Sequence, residues 1–302
     1  MDAAPAPTPA APDASLARLR RIEWSVRNAV QSMMTGEYLS VFRGRGMEFD
    51  QVAKYNFGDD IRDVDWKVTA RLGEPYRKVF VEERDITVIL VFEDTPSLQF
   101  GSRGPTRRQA LLDVAELILL IAAVCRDRVG FVHATPSAHV DRPPAGGSGR
   151  ILRAAASLRA LPPPDPVAAP APAAIPWALL EGCAPRNSIL VWCGDFAPRP
   201  FPPAWAGLQQ RYQTIGVRID DPWDLAFPAG QRFAAYDPAS GRVDPFEDSP
   251  TARGAHAAWR AAREEGWRRL FPDPFGRLAV GTGDDLLAAV VRFFHARRRA
   301  LG

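Results

Sequence analysis

Cysteine is scarce in this chain. Cys125, Cys183 and Cys193 are an odd, widely spaced set without a CxxC pair, which excludes a disulfide framework and a zinc ribbon. His133, His139, His256 and His295 are scattered as well, so all seven residues read as structural or surface side chains. Charge of one sign is also lacking: a net charge of +3 over 302 residues is too small to argue for nucleic acid or an anionic membrane. Long apolar runs are missing too. The longest, Leu117 to Cys125, falls well short of the ~20 residues that span a bilayer. The N-terminus has no apolar run bounded by a cleavage site, so no secretory signal is read there. The expectation is a soluble, cytoplasmic protein with no membrane span and no nucleic-acid partner.

What is present is a globular composition with one excess. Hydrophobic residues make up 46% and charged residues 24%, enough for one large core or two small ones. Proline stands out at 29 residues, many of them in Ala/Pro stretches at 1–14 and 162–176, which read as a disordered tail and an extended linker. Ser15 can cap a helix that carries Leu19, Ile22, Val26 and Val30 on one stripe.

The segment ITVILVF at 86–92 is continuously aliphatic, as a strand covered on both faces must be. Thr106 and Gln109 form a capping-box pattern that opens a long helix to about Cys125. Further strands are predicted at 129–134, 188–193 and 214–219. A helix is expected from Ile151 to Leu161, and a hairpin over 227–243 with its turn at Pro238 to Gly241. Asp284 and Asp285 can cap a last helix, whose C-terminal end is crowded by Arg297, Arg298 and Arg299 where the helix dipole favours cations. Strands alternating with helices predict an α/β fold: a mostly parallel, Rossmann-like sheet with helices on both faces. In such sheets ligands sit beyond the carboxyl ends of the strands.

Two acidic loops lie there: Glu93 to Gly101 after the first strand, and Gly194-Asp195-Phe196 after the third. Carboxylates and hydroxyls on facing loops can hold an octahedral Mg²⁺ through oxygen ligands and water. Equally, Thr95 and Ser97 can cap the next segment while Asp195 makes a turn.

The stretch Gly36 to Arg84 is more distinctive. It carries Arg43, Gly44, Gly46, Glu48 and Phe49, then Tyr55, Gly58, Asp59, Asp60, Arg62, Asp65 and Trp66, then Ala70-Arg71 and Glu82-Glu83-Arg84. This pattern closely resembles the signature of the domain of unknown function 58 family. Similarity continues through Asp127 to Gly130, Asp195-Phe196, Asp221-Pro222 and Pro228 to Gly230. The resemblance implies a von Willebrand factor A-like domain over 85–302, preceded by a helix and signature segment over 15–84. It also implies a non-enzymatic adaptor that works with a MoxR-type AAA+ ATPase or its client, in a chaperone-like or assembly role. Two alternatives stand beside it: a metal-dependent hydrolase using the acidic signature, and a scaffold for a membrane-associated complex that docks through the basic C-terminal helix.

Such domains place Asp-x-Ser-x-Ser after the first strand, and here Glu93, Thr95 and Ser97 take those positions, with Asp195 opposite. Asp94 is one residue out of register. Ala174 to Trp177 stand where a Thr usually opens a helix, and Ser148 is the hydroxyl substitute on offer. A degenerate site with weak or absent Mg²⁺ affinity is expected, leaving Glu93 and Asp195 as an acidic notch for a partner's Arg or Lys. The signature carboxylates and arginines, including Arg71, are expected to pair as a structural network with Trp66 and Phe49 packed beneath.

Overall fold

A computed structural model describes residues 44–55, 64–84, 86–165, 172–226, 228, 230, 232–238 and 240–301. The expected N-terminal tail and helix fall outside the described residues, as do Arg43, Gly58, Asp59, Asp60 and Arg62 of the signature. For Gly44, Gly46, Glu48 and Phe49 the backbone alone is described. The chain divides into two compact units, Phe42–Ile86 and a larger one that contains Thr87–Gly302.

In the smaller unit β1 (Gly44–Lys54) pairs antiparallel with β2 (Tyr76–Arg84), from Gly44↔Arg84 to Lys54↔Tyr76. Between them lies a two-turn helix, α1 (Trp66–Leu72). Asp65 caps it: one carboxylate oxygen accepts from the N–H groups of Lys67 at 3.0 Å and Val68 at 3.2 Å. Gly73, at φ +74°, closes it in the left-handed conformation that glycine adopts without strain. The expectation of a buried indole here is corrected, since Trp66 is 68% exposed. As the first residue after the cap of a short helix, it is carried outward, and Asp65 is half-buried and engaged by backbone donors.

The larger unit is built on a six-stranded sheet in the order β10-β7-β6-β3-β4-β5. The strands are β3 (Thr87–Glu93), β4 (Arg128–Ala134), β5 (His139–Ala145), β6 (Ile189–Gly194), β7 (Gln213–Asp220) and β10 (Arg277–Gly281). All neighbours pair in parallel except β4 and β5. β3 is central and buried at every position, which accounts for its unbroken aliphatic sequence.

Alternation along the strands sends Ile89, Val91, Val132, Ala134, Leu190 and Trp192 to one face. There they meet α4 (Trp177–Gly182), α5 (Trp205–Arg211) and the end of α7 (Pro250–Leu270), in a core rich in aromatics: Trp192, Phe196, Trp205, Trp267 and Phe271. Residues of the opposite register meet α2 (Arg107–Val124), which packs between α3 (Ser148–Ala160) and α8 (Leu286–Leu301). The Thr106–Gln109 capping box that opens α2 is formed in both directions.

Three elements depart from the sequence expectation. Residues 143–149 read as a Pro/Gly loop, but His139–Ala145 forms β5; an edge strand needs hydrogen bonds on one side alone and so tolerates Pro143 and Pro144. α7 was not anticipated, because its 21 residues bury Arg263, Trp267 and Leu270 alone. β10 is a five-residue edge strand with no long apolar run. Within the unit, β8 (Arg232–Asp237) and β9 (Arg242–Glu247) form the expected hairpin, preceded by a single turn, α6 (Pro222–Leu225).

Gly216 in β7 makes room for the aromatic core: a Cβ there would lie 2.5 Å from the rings of Phe271 and Trp267. Gly216→Ala is therefore expected to destabilise the larger unit by about 1–3 kcal/mol, the usual cost of overpacking. A urea midpoint equal to that of the parent would show that the cluster can yield.

Candidate functional site

β3 and β6 are parallel neighbours, so the loops that leave their carboxyl ends emerge side by side. Asp195 accepts at Oδ2 from the Ser97 hydroxyl at 2.5 Å, and at Oδ1 from the Ala197 N–H at 3.2 Å. Thr95 Oγ1 lies 2.9 Å from Ser97 Oγ. Both readings of these loops therefore hold at once: Asp195 makes a turn, and its carboxylate meets the hydroxyls of the facing loop. Phe196, at φ +50°, carries backbone strain on the order of 1 kcal/mol. Its ring is nevertheless 2% exposed in the aromatic core, which fixes the turn that presents Asp195.

Glu93 is elsewhere in the same cluster and differently occupied. It is 1% exposed. Its Oε2 accepts from the Trp192 indole N–H at 2.9 Å and from Arg199 Nη2 at 2.8 Å, while Arg199 Nη1 holds Oε1. The Arg199 guanidinium also lies over the rings of Trp192 (4.7 Å) and Phe196 (5.5 Å), within cation–π range. Burial alone would push Arg199 below its ordinary pKa, but the charge and hydrogen bonds of Glu93, helped by Asp195, hold it above. A guanidinium held above its already high ordinary pKa keeps its charge at any pH where proteins fold, so this pair is always ionised on its basic side.

This arrangement decides how the residues suit a divalent ion. Mg²⁺ demands short oxygen ligands in near-octahedral array. Glu93 has both oxygens bonded to nitrogen donors, and the positive charge the site requires is already supplied by Arg199. Asp94, the alternative carboxylate, is fully buried: Arg108 Nε donates to it at 2.8 Å and His133 Nε2 lies 2.8 Å away. Ser148 is corrected as a third ligand. β5 reverses the chain, pairing Ala145 with Val129 at the amino end of β4, so Ser148 begins α3 at the wrong end of the sheet. Ala174, whose N–H donates to the Thr135 carbonyl, is at the right end but brings no hydroxyl. Thr95, Ser97 and Asp195 remain, two hydroxyls and one carboxylate, a poorer donor set for Mg²⁺ than one in which Glu93 also takes part. The acidic notch expected for a partner's Arg or Lys is corrected in the same way, since the chain's own Arg199 fills it at Glu93.

A second set of ion pairs runs along the same edge. Arg263, 3% exposed on α7, donates to the carbonyls of Asp195 (2.8 Å) and Ile219 (3.0 Å) and lies 2.8 Å from Asp220 Oδ1. That last contact is an ion pair between two buried groups. Arg107 binds Asp224 through two nitrogens and the Ser97 carbonyl at 3.1 Å, so it fixes the Ser97 loop to α6. Arg199, Arg263, Arg107 and His133 were not singled out from sequence. One signal was available: a glutamate at the end of a buried strand requires a cation nearby, and Arg199 follows Asp195 by four residues.

Of the signature residues in the smaller unit, Asp65 is a helix cap, while Trp66 and Arg71 are exposed. No group of three or more His, Cys, Asp or Glu side chains suited to a metal ion occurs among the described residues. No described helix is long and apolar enough to cross a membrane. At the C-terminus, Arg297 is 6% exposed and donates to the Phe275 carbonyl at 2.9 Å, with Asp273 3.3 Å away. It therefore turns into the fold rather than joining a basic docking surface.

Fold and edge together define a Rossmann-like α/β domain with a hydroxyl–carboxylate cluster at the carboxyl end of its sheet. Residues 51–266 match the family described as "Protein of unknown function DUF58", and the chain belongs to that family. It is also similar to an uncharacterized protein of Mycobacterium bovis and to uncharacterized proteins of Mycobacterium tuberculosis. Each is 27% identical over 288 residues, which covers 94% of this chain and 90% of the relative.

Because Glu93 is buried, removal of its partner should leave an uncompensated charge. Arg199→Gln is expected to cost about 3–5 kcal/mol of stability, and Glu93→Gln in the same chain should recover most of that loss. Strictly additive losses in a double-mutant cycle would show that the two side chains are not coupled.

Proposed function

We propose that the chain is a non-enzymatic, protein-binding adaptor of von Willebrand factor A-like type, with its contact surface at Ser97 and Asp195. The observation that carries this reading is the division of labour at the carboxyl edge. Arg199 neutralises Glu93 inside the fold, while Asp195 is held by a hydroxyl and a backbone N–H rather than by an ion pair. A carboxylate preorganised in this way can accept charge-assisted hydrogen bonds from a partner's basic or amide groups. Ser97 meets a carboxylate and a hydroxyl, not an imidazole, which favours recognition over nucleophilic catalysis.

Family resemblance supplies the partner class. The proposed partner is a MoxR-type AAA+ ATPase or its client, and the role is chaperone-like or in assembly. Binding in this scheme draws on no divalent ion held by the adaptor, because Arg199 provides the resident charge.

The test is binding of the full chain to a purified MoxR-type ATPase, measured by surface plasmon resonance. Ser97→Ala and Asp195→Asn should each weaken the complex at least about tenfold, the scale for loss of a charged interfacial hydrogen bond, and circular dichroism checks that each variant is folded. Parent-like binding by both variants would remove this edge from the interface.

A further inference from the structure

A separate groove of about 300 Å³ lies between the segment that follows Ser97 and the β8–β9 hairpin. Its walls include Gln99, Phe100, Ser102, Trp223, Phe233 and Tyr236, and among the described residues no charged side chain lines it. The aromatic rings form a continuous row: Phe100 to Trp223 at 5.7 Å, Trp223 to Phe233 at 4.8 Å and Phe233 to Phe246 at 4.5 Å between centroids. Arg107 stacks on Phe100 at 4.8 Å and braces one end. Tyr236 is 53% exposed at the other wall.

Ser102 Oγ is buried without a hydrogen-bond partner. Trp223 Nε1 and Tyr236 Oη have none among the described residues. The Gln99 amide N–H is engaged, and its acceptor is informative: at 2.7 Å it holds the carbonyl of Pro164, the last residue of Pro162-Pro163-Pro164. The groove thus offers hydrogen-bond donors between aromatic faces, and one of those donors already grips a carbonyl from a proline run.

A ligand that matches must be uncharged along its length, apolar on its faces, and rich in acceptors without bringing donors of its own. A proline-rich chain in the polyproline II conformation has that chemistry. Its carbonyls point outward unpaired, its prolines lack N–H groups, and its rings pack on aromatic side chains. Because it is already extended before binding, little conformational entropy is lost on docking.

We infer that this aromatic groove is a docking site for a proline-rich segment of a partner protein. The prolines would pack against Phe100, Trp223 and Tyr236, and the carbonyls would accept from Ser102, Trp223 and Tyr236. This site is distinct from the Ser97–Asp195 contact and stands or falls without it.

The experiment is fluorescence anisotropy of labelled decaproline titrated with the full chain, beside a Gly/Ser peptide of equal length. Decaproline should bind saturably and the Gly/Ser peptide should not. Trp223→Phe removes the indole donor and Tyr236→Ala removes an exposed ring. Each should weaken binding about five- to tenfold, as the loss of an aromatic anchor does. Val243→Ala, on the 63%-exposed position of β9, should leave it unchanged. Circular dichroism on each variant separates loss of binding from loss of fold, and Tyr236→Ala carries the test if Trp223→Phe is unstable. Three results would overturn the inference: no saturable binding, equal binding of the Gly/Ser peptide, or parent-like binding by folded variants. A chain whose own Ala/Pro stretch fills the groove would give the first of these, which rules against a partner ligand.

Discussion

A carboxylate buried at the end of the central strand is the constraint on which the carboxyl edge depends. Glu93 sits where β3 leaves the core, 1% exposed, and a lone charge there would cost many kilocalories. The fold meets that demand with a two-point guanidinium pair, an indole N–H and two aromatic faces against the same arginine. Each of these partners constrains something else. Trp192 belongs to the aromatic core under the sheet, Phe196 takes a left-handed backbone to reach Arg199, and the turn so formed presents Asp195 to Ser97. The Ser97–Asp195 contact is thus tied to how one buried charge is neutralised.

The same solution recurs across the edge. Asp94 is met by Arg108 and His133, Asp224 by Arg107, and Asp220 by Arg263 and Arg218. Burial pulls Arg263 below its ordinary pKa, although three carboxylates, Asp220, Asp224 and Asp195, act against that fall. Such pairs add little net stability over an apolar core, and they are costly to break singly. Their visible effect is geometric: they lock the loops after β3, β6 and β7 to one another. A rigid edge of this kind is well suited to presenting fixed hydrogen-bonding groups.

Much of the sheet was legible in the sequence because its signals are local. A strand buried on both faces has to be aliphatic throughout, as 86–92 is, and a capping box announces α2 at Thr106. The loops that would meet could be named from the rule that parallel strands end together. Where the reading failed, the deciding contact was long-range. The position of Glu93 called for a cation, but nothing local picks out Arg199, 106 residues later, among the many arginines of the chain. Ser148 looked plausible until β5 turned the chain back, and Pro143 and Pro144 hid that strand because proline marks an edge as readily as a loop. α7 escaped for want of a wide apolar stripe, so Arg263 escaped with it. In the smaller unit the tryptophan next to Asp65 suggested a packed indole, whereas Trp66 is exposed and Asp65 caps the helix that it opens.

The central claim is that Arg199 stands in the place of a metal cation. Electron paramagnetic resonance of Mn²⁺ titrated into the full chain tests it most directly, because free and bound Mn²⁺ give distinct signals without reference to any partner or activity. The account predicts no saturable site tighter than the millimolar range, in the parent and in Asp195→Ala alike. Micromolar Mn²⁺ binding by the parent, abolished in Ser97→Ala and Asp195→Ala, would contradict it.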